Sequence, residues 1–181
     1  TFHFTLRTAT PPTALRSAFY ELSWFYQTQS NKLSDLHPSV HPWWVDFVVN
    51  KNAPKEEWHI GQTYGHTVRR YDLMNNCLSA LLNPDNRRAI INLWDNQQMF
   101  EDPKALVPCC YLTQWFLEPV GNDYIKLKES LSQRSMDALM THSINPTQYT
   151  MFGMMIASHL TWATGIKHEL TDLKHNIGDY H

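Results

Sequence analysis

The chain has 181 residues, enough for one domain that buries roughly 70% of its unfolded surface around a single core. Fifteen Lys and Arg against seventeen Asp and Glu leave a formal charge of −2, which excludes a broad basic field for nucleic acid and an acidic disordered tail, so any anion site must be local. Three cysteines, an odd count with no signal-like leader ahead of them, fit a reducing, cytoplasmic compartment and not a disulfide scaffold.

From the start of the chain, Ala14 to Gln27 spaces Leu15, Ala18, Phe19, Leu22, Phe25 and Tyr26 as one helical face, with Glu21 and Trp24 near its edge. His37 to Trp44 carries two prolines and a Trp pair and reads as a rigid loop with exposed aromatic surface. Tyr71 to Leu82 is the next helix, stopped by Asn83-Pro84-Asp85, and Ala89 to Trp94 is a strand. Cys110 to Leu117 is a second strand, with Tyr111, Thr113 and Trp115 on one face. The turn Glu118 to Asp123 returns the chain as the strand Tyr124 to Leu131. Met136 to Thr141 begins a short helix, Tyr149 to Trp162 is a long apolar one, and Ile166 to Lys174 closes as a strand. The apolar run Met151 to Thr164 is broken by Ser158-His159 and falls short of the ~20 residues of a membrane span. The pattern predicts an α+β fold of helices on an antiparallel sheet.

The chemistry concentrates between Lys104 and Asp137. Pro108 delivers Cys109 to the start of a strand, and the next strand brings back Gln133-Arg134-Ser135-Met136-Asp137. A thiol beside a guanidinium and a hydroxyl is a nucleophile next to an anion clamp, since the thiolate is the attacking species and a cation stabilises it. Cys110 points to the other face of the strand and cannot share a substrate or an ordinary disulfide with Cys109. Two adjacent cysteines lack the spacing of a zinc half-site. Arg87-Arg88, after the turn Asn83-Pro84-Asp85-Asn86, suits a phosphate, because guanidinium forks match its geometry. His37 and His41 stand four apart, but Pro38 and Pro42 argue against the helix that would align them, so no metal site is expected.

Seven segments in order resemble the thymidylate synthase family, including the phage pyrimidine hydroxymethylases, over essentially the whole chain. They are Tyr20-Glu21-Leu22-Ser23-Trp24-Phe25 with Asn31 beyond, Tyr64-Gly65, Asn83 to Arg88, Leu106-Val107-Pro108-Cys109, Gln133 to Asp137, Asn145 with Tyr149, and Gly178-Asp179-Tyr180-His181. The resemblance implies a thymidylate synthase fold, a mixed sheet packed with helices that dimerises through the sheet. It implies that the Cys109 thiolate adds to C6 of a pyrimidine nucleotide and that C5 then attacks the methylene group of 5,10-methylenetetrahydrofolate. Glu21 would order a proton and water network, and Tyr64 would line the same cavity. Gln133, Arg134 and Ser135 would bind the nucleotide, the last two at its phosphate, with Arg87 and Arg88 supplied by the second subunit. Trp44 and Leu106 would pack on the folate, Asp137 would meet the pterin and His181 the ribose.

At the base-reading position, the Asn145 amide offers a donor to O4 and an acceptor to N3–H of uracil, whereas a carboxylate would suit cytosine, so dUMP is the expected nucleotide. The departures from the family pattern are Cys110 after the nucleophile in place of the usual His, Val68 where a Trp is usual, Thr141 at a pterin-side Gly, and a longer turn at Glu118 to Asp123. They tilt the expectation toward hydroxymethylation to 5-hydroxymethyl-dUMP in the cytoplasm of a phage host, with reductive methylation to dTMP as the alternative and a non-catalytic scaffold or RNA-binding relative as a third reading. Residues 1–181 are read as one catalytic domain, expected to lack the family's N-terminal phosphate loop and C-terminal tail. No membrane, metal or nucleic-acid partner is expected.

Overall fold

The computed structural model of the protein describes residues 12–137 and 144–180. Helix α1 (Pro12–Leu22) turns Ala18 and Leu22 inward. It does not continue to Gln27 as a regular helix. It widens into one turn, Ser23–Gln27, in which the Thr28 N–H reaches back five residues to the Ser23 carbonyl. That wider turn lets three consecutive aromatic side chains, Trp24, Phe25 and Tyr26, all enter the core, so Trp24 lies at its centre and not at its edge.

The segment expected as a loop is helical in part. Pro42 opens the one-turn helix α2 (His41–Trp44), because proline at the first positions of a helix gives up an N–H that has no partner there anyway. The Trp pair divides, Trp43 exposed and Trp44 buried. The His37 ring stacks on Tyr20, and His41 Nε2 faces the Leu36 carbonyl.

The helix expected over 71–82 is present as α4 (Leu73–Leu81), and a short helix not foreseen from sequence, α3 (Gly65–Arg70), precedes it. Between them Asp72 adopts a left-handed conformation, with φ at 49°, that a continuous helix could not contain. Strand β1 (Ile90–Asn92) leads into the unforeseen helix α5 (Asn96–Glu101), whose N-terminus is capped by the Asp95 carboxylate accepting from the Gln97 and Gln98 amides.

Strands β2 (Cys110–Pro119), β3 (Tyr124–Met136) and β4 (Lys167–Tyr180) complete a sheet of order β1-β2-β3-β4. The β2–β3 pair is the expected hairpin. β3 runs on to Met136, where a helix was expected to begin, and Asp137 follows it without helical structure; positions 138–141 of that expected helix, with Thr141, lie outside the described residues. The 21-residue helix α6 (Ile144–Thr164) then carries the chain back, so β4 pairs parallel to β3. The sheet is therefore mixed and not antiparallel throughout, as a crossover helix of this length requires.

α6 buries Tyr149, Phe152, Gly153, Ile156, Ala157 and Leu160, one continuous stripe at helical spacing. On it the Phe152 ring stacks against Tyr26 at 4.3 Å and meets Trp115 edge-on at 5.5 Å, joining α1, α6 and β2 in one core. Gly153 lets Leu170 approach α6 closely, since a Cβ there would lie 2.8 Å from the Leu170 methyl groups and would displace them.

β3 turns Ile125, Leu127, Glu129, Leu131 and Gln133 toward this core by strict alternation. Two of the five are polar, and their circumstances differ. Gln133 is hydrogen-bonded, whereas both carboxyl oxygens of Glu129, at 2% exposure, have no hydrogen-bond partner among the described residues. Burial therefore pushes its pKa well above the ordinary 4.5. A raised value means that the folded chain holds a proton the unfolded chain releases. Stability is full below pH 4.5 and falls as pH rises from there toward the folded-state value. Glu129→Leu is expected to raise stability by about 1–3 kcal/mol near neutral pH. In chemical denaturation at a series of pH values, the gap between variant and wild type should widen upward from pH 4.5; a constant gap would mean that Glu129 does not change its proton on unfolding.

Candidate active site

β2 begins just after the candidate nucleophile Cys109, and a bulge there sets the geometry. Cys110 pairs with Gln133 but Leu112 pairs with Ser132, so one extra residue sits in β2. Cys110 therefore shares the core face with Thr113 and Trp115, while Tyr111 leaves the face predicted for it and meets Trp94 edge-on at 5.7 Å. Cys109, just before the strand, stays half-buried and is turned to the Arg134 side.

Arg134 fastens this corner. Its amide donates to the Cys109 carbonyl at 2.9 Å, its Nε to the Pro108 carbonyl at 3.1 Å and its Nη2 to the Val107 carbonyl at 3.1 Å. Nη2 also lies 3.5 Å from Cys109 Sγ, and Nη1 donates to Ser135 Oγ at 3.1 Å. Four of the five guanidinium N–H groups are thus engaged among the described residues, leaving one on Nη1 beside the Ser135 hydroxyl for an anion. An open groove of about 600 Å³ adjoins it, lined by Trp94, Tyr111, Ser132, Arg134, Asn176 and Gly178.

Tyr64 comes from the start of α3, and its Tyr-Gly pairing has a steric cause. A Cβ on Gly65 would lie 2.2 Å from the Ser30 carbonyl oxygen, so only glycine lets α3 start against that backbone. Tyr64 absorbs the constraint with φ at 45° and ψ at −111°, a backbone state rare for a bulky residue. Its ring stacks on Phe25 at 4.4 Å, and its hydroxyl accepts from the Cys109 amide at 3.4 Å. Burial holds the phenol neutral, its pKa well above 10, reinforced by the neighbouring thiols of Cys109 and Cys110.

Glu21 sits behind this wall. Trp44 Nε1 donates to one of its oxygens at 2.7 Å and Gln148 Nε2 to the other at 2.9 Å. Burial raises its pKa and outweighs the opposing effect of these two donors. Trp44 meets Tyr64 edge-on at 5.6 Å, which links the acid to the nucleophile's wall.

The structure thus brings Cys109, Tyr64, Gln133, Arg134 and Ser135 together and joins Glu21 and Trp44 to them. Half-buried Leu106 flanks the group, its carbonyl accepting from Thr63 Oγ1 at 2.8 Å. Asn145 opens α6, three residues before Gln148, and Asp137 is exposed just past the end of β3. Arg87 and Arg88 are exposed beyond the 83–86 turn and make no side-chain hydrogen bond or ion pair to this group among the described residues. His181 lies outside the described residues.

Gln148 and Phe25 were missed from sequence. Gln148 had a signal, standing three positions after Asn145 on one helix face. Phe25 looked like core, and it is core.

Burial pushes the Cys77 thiol up to about 12, and burial with the neighbouring Cys109 pushes the Cys110 thiol well above 9. Iodoacetamide at neutral pH is therefore expected to modify Cys109 in the native protein and to spare Cys77 and Cys110, with all three labelled after denaturation. Peptide mass spectrometry reads the outcome; native labelling of Cys110 in preference to Cys109 would reverse the strand orientation described above.

Comparison with known proteins places the chain in a family. A family model described as thymidylate synthase matches residues 2–181. A thymidylate synthase of Streptococcus thermophilus (strain ATCC BAA-491 / LMD-9) is 42% identical over 160 residues, 85% of this chain and 54% of that protein. One of Streptococcus gordonii is 42% identical over 157 residues, 85% of this chain and 53% of that protein. Among solved structures, the thermostable thymidylate synthase A from Bacillus subtilis is similar with a TM-score of 0.70 at 27% identity, over 92% of this chain and 56% of that one. The chain spans about half the length of the curated relatives it matches.

Proposed function

Because this chain belongs to the thymidylate synthase family, we propose that it transfers a one-carbon unit from 5,10-methylenetetrahydrofolate to C5 of dUMP and reduces it to the methyl group of dTMP. The observation that carries the reading is the corner at Cys109, a half-exposed thiol 3.5 Å from a guanidinium that keeps one N–H for a phosphate. In this reading the Cys109 thiolate uses its electron pair to bond C6, the C5=C6 π bond breaks, and that π pair moves to C5, which becomes the carbon nucleophile. Arg134 and Ser135 hold the phosphate from one side. Asn145, at the start of α6 above Gln148 and Glu21, reads O4 and N3–H of uracil, and Gln133 supports the phosphate side from beneath. Glu21, acidic only above the ordinary carboxylate range, moves protons at the ring through its hydrogen-bonded surroundings.

The described residues suit a folate beside the nucleotide. The buried Trp44 indole and half-buried Leu106 offer an apolar wall next to Tyr64, and the Asp137 carboxylate can accept from a ring rich in N–H donors. The folate supplies the carbon and then the hydride. Hydride in place of water is favoured by the indole wall, which keeps solvent from the exocyclic carbon, and by relatives that carry the name thymidylate synthase. The lean toward hydroxymethylation, drawn from Cys110, Val68 and Thr141, finds no such support. Pairing of two chains across the open sheet face would bring Arg87 and Arg88 of one to the phosphate held by the other. The three cysteines are free thiols, in keeping with a cytoplasmic setting, and no helix among the described residues is long and apolar enough to cross a membrane.

Incubation of the protein with dUMP and methylenetetrahydrofolate is expected to give dTMP by mass, with dihydrofolate appearing by absorbance in equal amount. A product 16 mass units heavier than dTMP, without dihydrofolate, would assign hydroxymethylation instead. Cys109→Ala should abolish turnover and Cys110→Ala should retain it.

Mixing subunits tests the dimer. Arg87→Ala and Cys109→Ala, each nearly inactive alone, are expected to recover activity when exchanged, because one mixed site then holds an intact thiol and an intact partner arginine. Lack of recovery under demonstrated subunit exchange would leave Arg87 acting outside the site.

A further inference from the structure

A series of hydrogen bonds leads from the last strand to the nucleophile. His175, half-buried on β4, places Nε2 2.9 Å from Gln133 Oε1, and Cys110 Sγ approaches the same oxygen at 3.3 Å. Gln133 Nε2 donates to the Ser135 carbonyl at 2.7 Å. Ser135 Oγ in turn accepts from Arg134 Nη1 at 3.1 Å, and Arg134 Nη2 reaches Cys109 Sγ at 3.5 Å.

The roles in this series are fixed by elimination. The Ser135 carbonyl can only accept, so the Gln133 amide must turn its nitrogen there and its oxygen toward β4. That oxygen can only accept, so both Cys110 and His175 must be its donors. A thiol is a weak donor, which leaves the His175 Nε2–H as the principal hold on an amide that is 2% exposed and cannot turn to water.

We propose that His175 is a positioning residue for the anion clamp: by fixing the Gln133 amide it holds Ser135 against Arg134 and so sets the phosphate-binding geometry beside Cys109. This rests on the nucleotide reading above. It deepens that reading by assigning a role to a histidine that reaches the clamp through the Gln133 amide. The loss should fall on nucleotide binding, because the reacting groups Cys109, Tyr64 and Glu21 are held by other contacts.

The test uses His175→Phe, which keeps a ring and removes the donor; His175→Asn, whose amide is too short to reach; and His175→Gln, which restores a donor nitrogen near the Nε2 position. His175→Phe and His175→Asn are expected to raise KM for dUMP on the order of fivefold, the scale of one lost hydrogen bond, with kcat within about twofold, and His175→Gln to recover most of the loss. A fall in kcat at unchanged KM, an unchanged KM in both donor-lacking variants, or a His175→Gln no better than them would overturn the proposal. Thermal melting identifies any variant that fails to fold, and the other donor-lacking variant then carries the comparison.

A second arm needs no turnover. Inorganic phosphate should slow iodoacetamide labelling of Cys109 in wild type, with half-protection at about fivefold higher phosphate in the donor-lacking variants. Equal protection in all, or none in wild type, would also overturn the role of His175. Failure of wild type to convert dUMP while phosphate protection follows His175 would instead remove the nucleotide reading and leave the clamp.

Discussion

The guanidinium of Arg134 is the constraint on which the site depends. It is donated to two backbone carbonyls, Pro108 and Val107, of the segment that delivers the nucleophile, and so it fixes chain as well as charge. The β2–β3 ladder starts from the same corner, through the Arg134 amide and the Cys109 carbonyl. The bulge between Cys110 and Leu112 then divides two adjacent thiols, one toward Arg134 and one into the core. Without that extra residue the alternation of β2 would run one position out of step, and Cys110 would not share the face of Thr113 and Trp115.

Behind the nucleophile stands an aromatic wall in which each member holds the next. Phe25 enters because the turn after α1 is widened, Tyr64 stacks on Phe25, and Trp44 meets both rings edge-on while its indole N–H anchors Glu21. The wall serves two ends. It excludes water, and it leaves an acid whose proton is held more tightly than in solvent. The unusual backbone of Tyr64 is tolerated because close packing on both sides leaves the ring no other place.

The core beneath the sheet contains a contrast that bears on stability. Gln133 and Glu129 lie four residues apart on the same face of β3, both buried. Gln133 has donors and an acceptor around it, which connect β4 to the backbone of Ser135. Glu129 has no hydrogen-bond partner among the described residues, so it costs stability in its ionised form, and burial favours its neutral form. A polar group in the core is thus either part of a network that reaches the surface site or a liability next to it.

The sequence by itself determined the family, the hairpin and the placing of a thiol beside an arginine, because each rests on local spacing: Cys109 at a strand start, Gln133 to Ser135 on the returning strand, Glu21 on a helical face. The register bulge, the widened turn that buries Trp24, the parallel pairing of β4 and the contacts of Gln148 and His175 were decided only by the tertiary structure. Their causes are distant in the chain: Gln148 is 127 residues from Glu21 and His175 is 42 from Gln133. No periodicity encodes such a pairing. β4 was read as closing an antiparallel sheet because a strand pattern specifies which side chains share a face but not the direction of the neighbour; that direction was set by α6, whose length returns the chain to the end of the sheet where β3 begins.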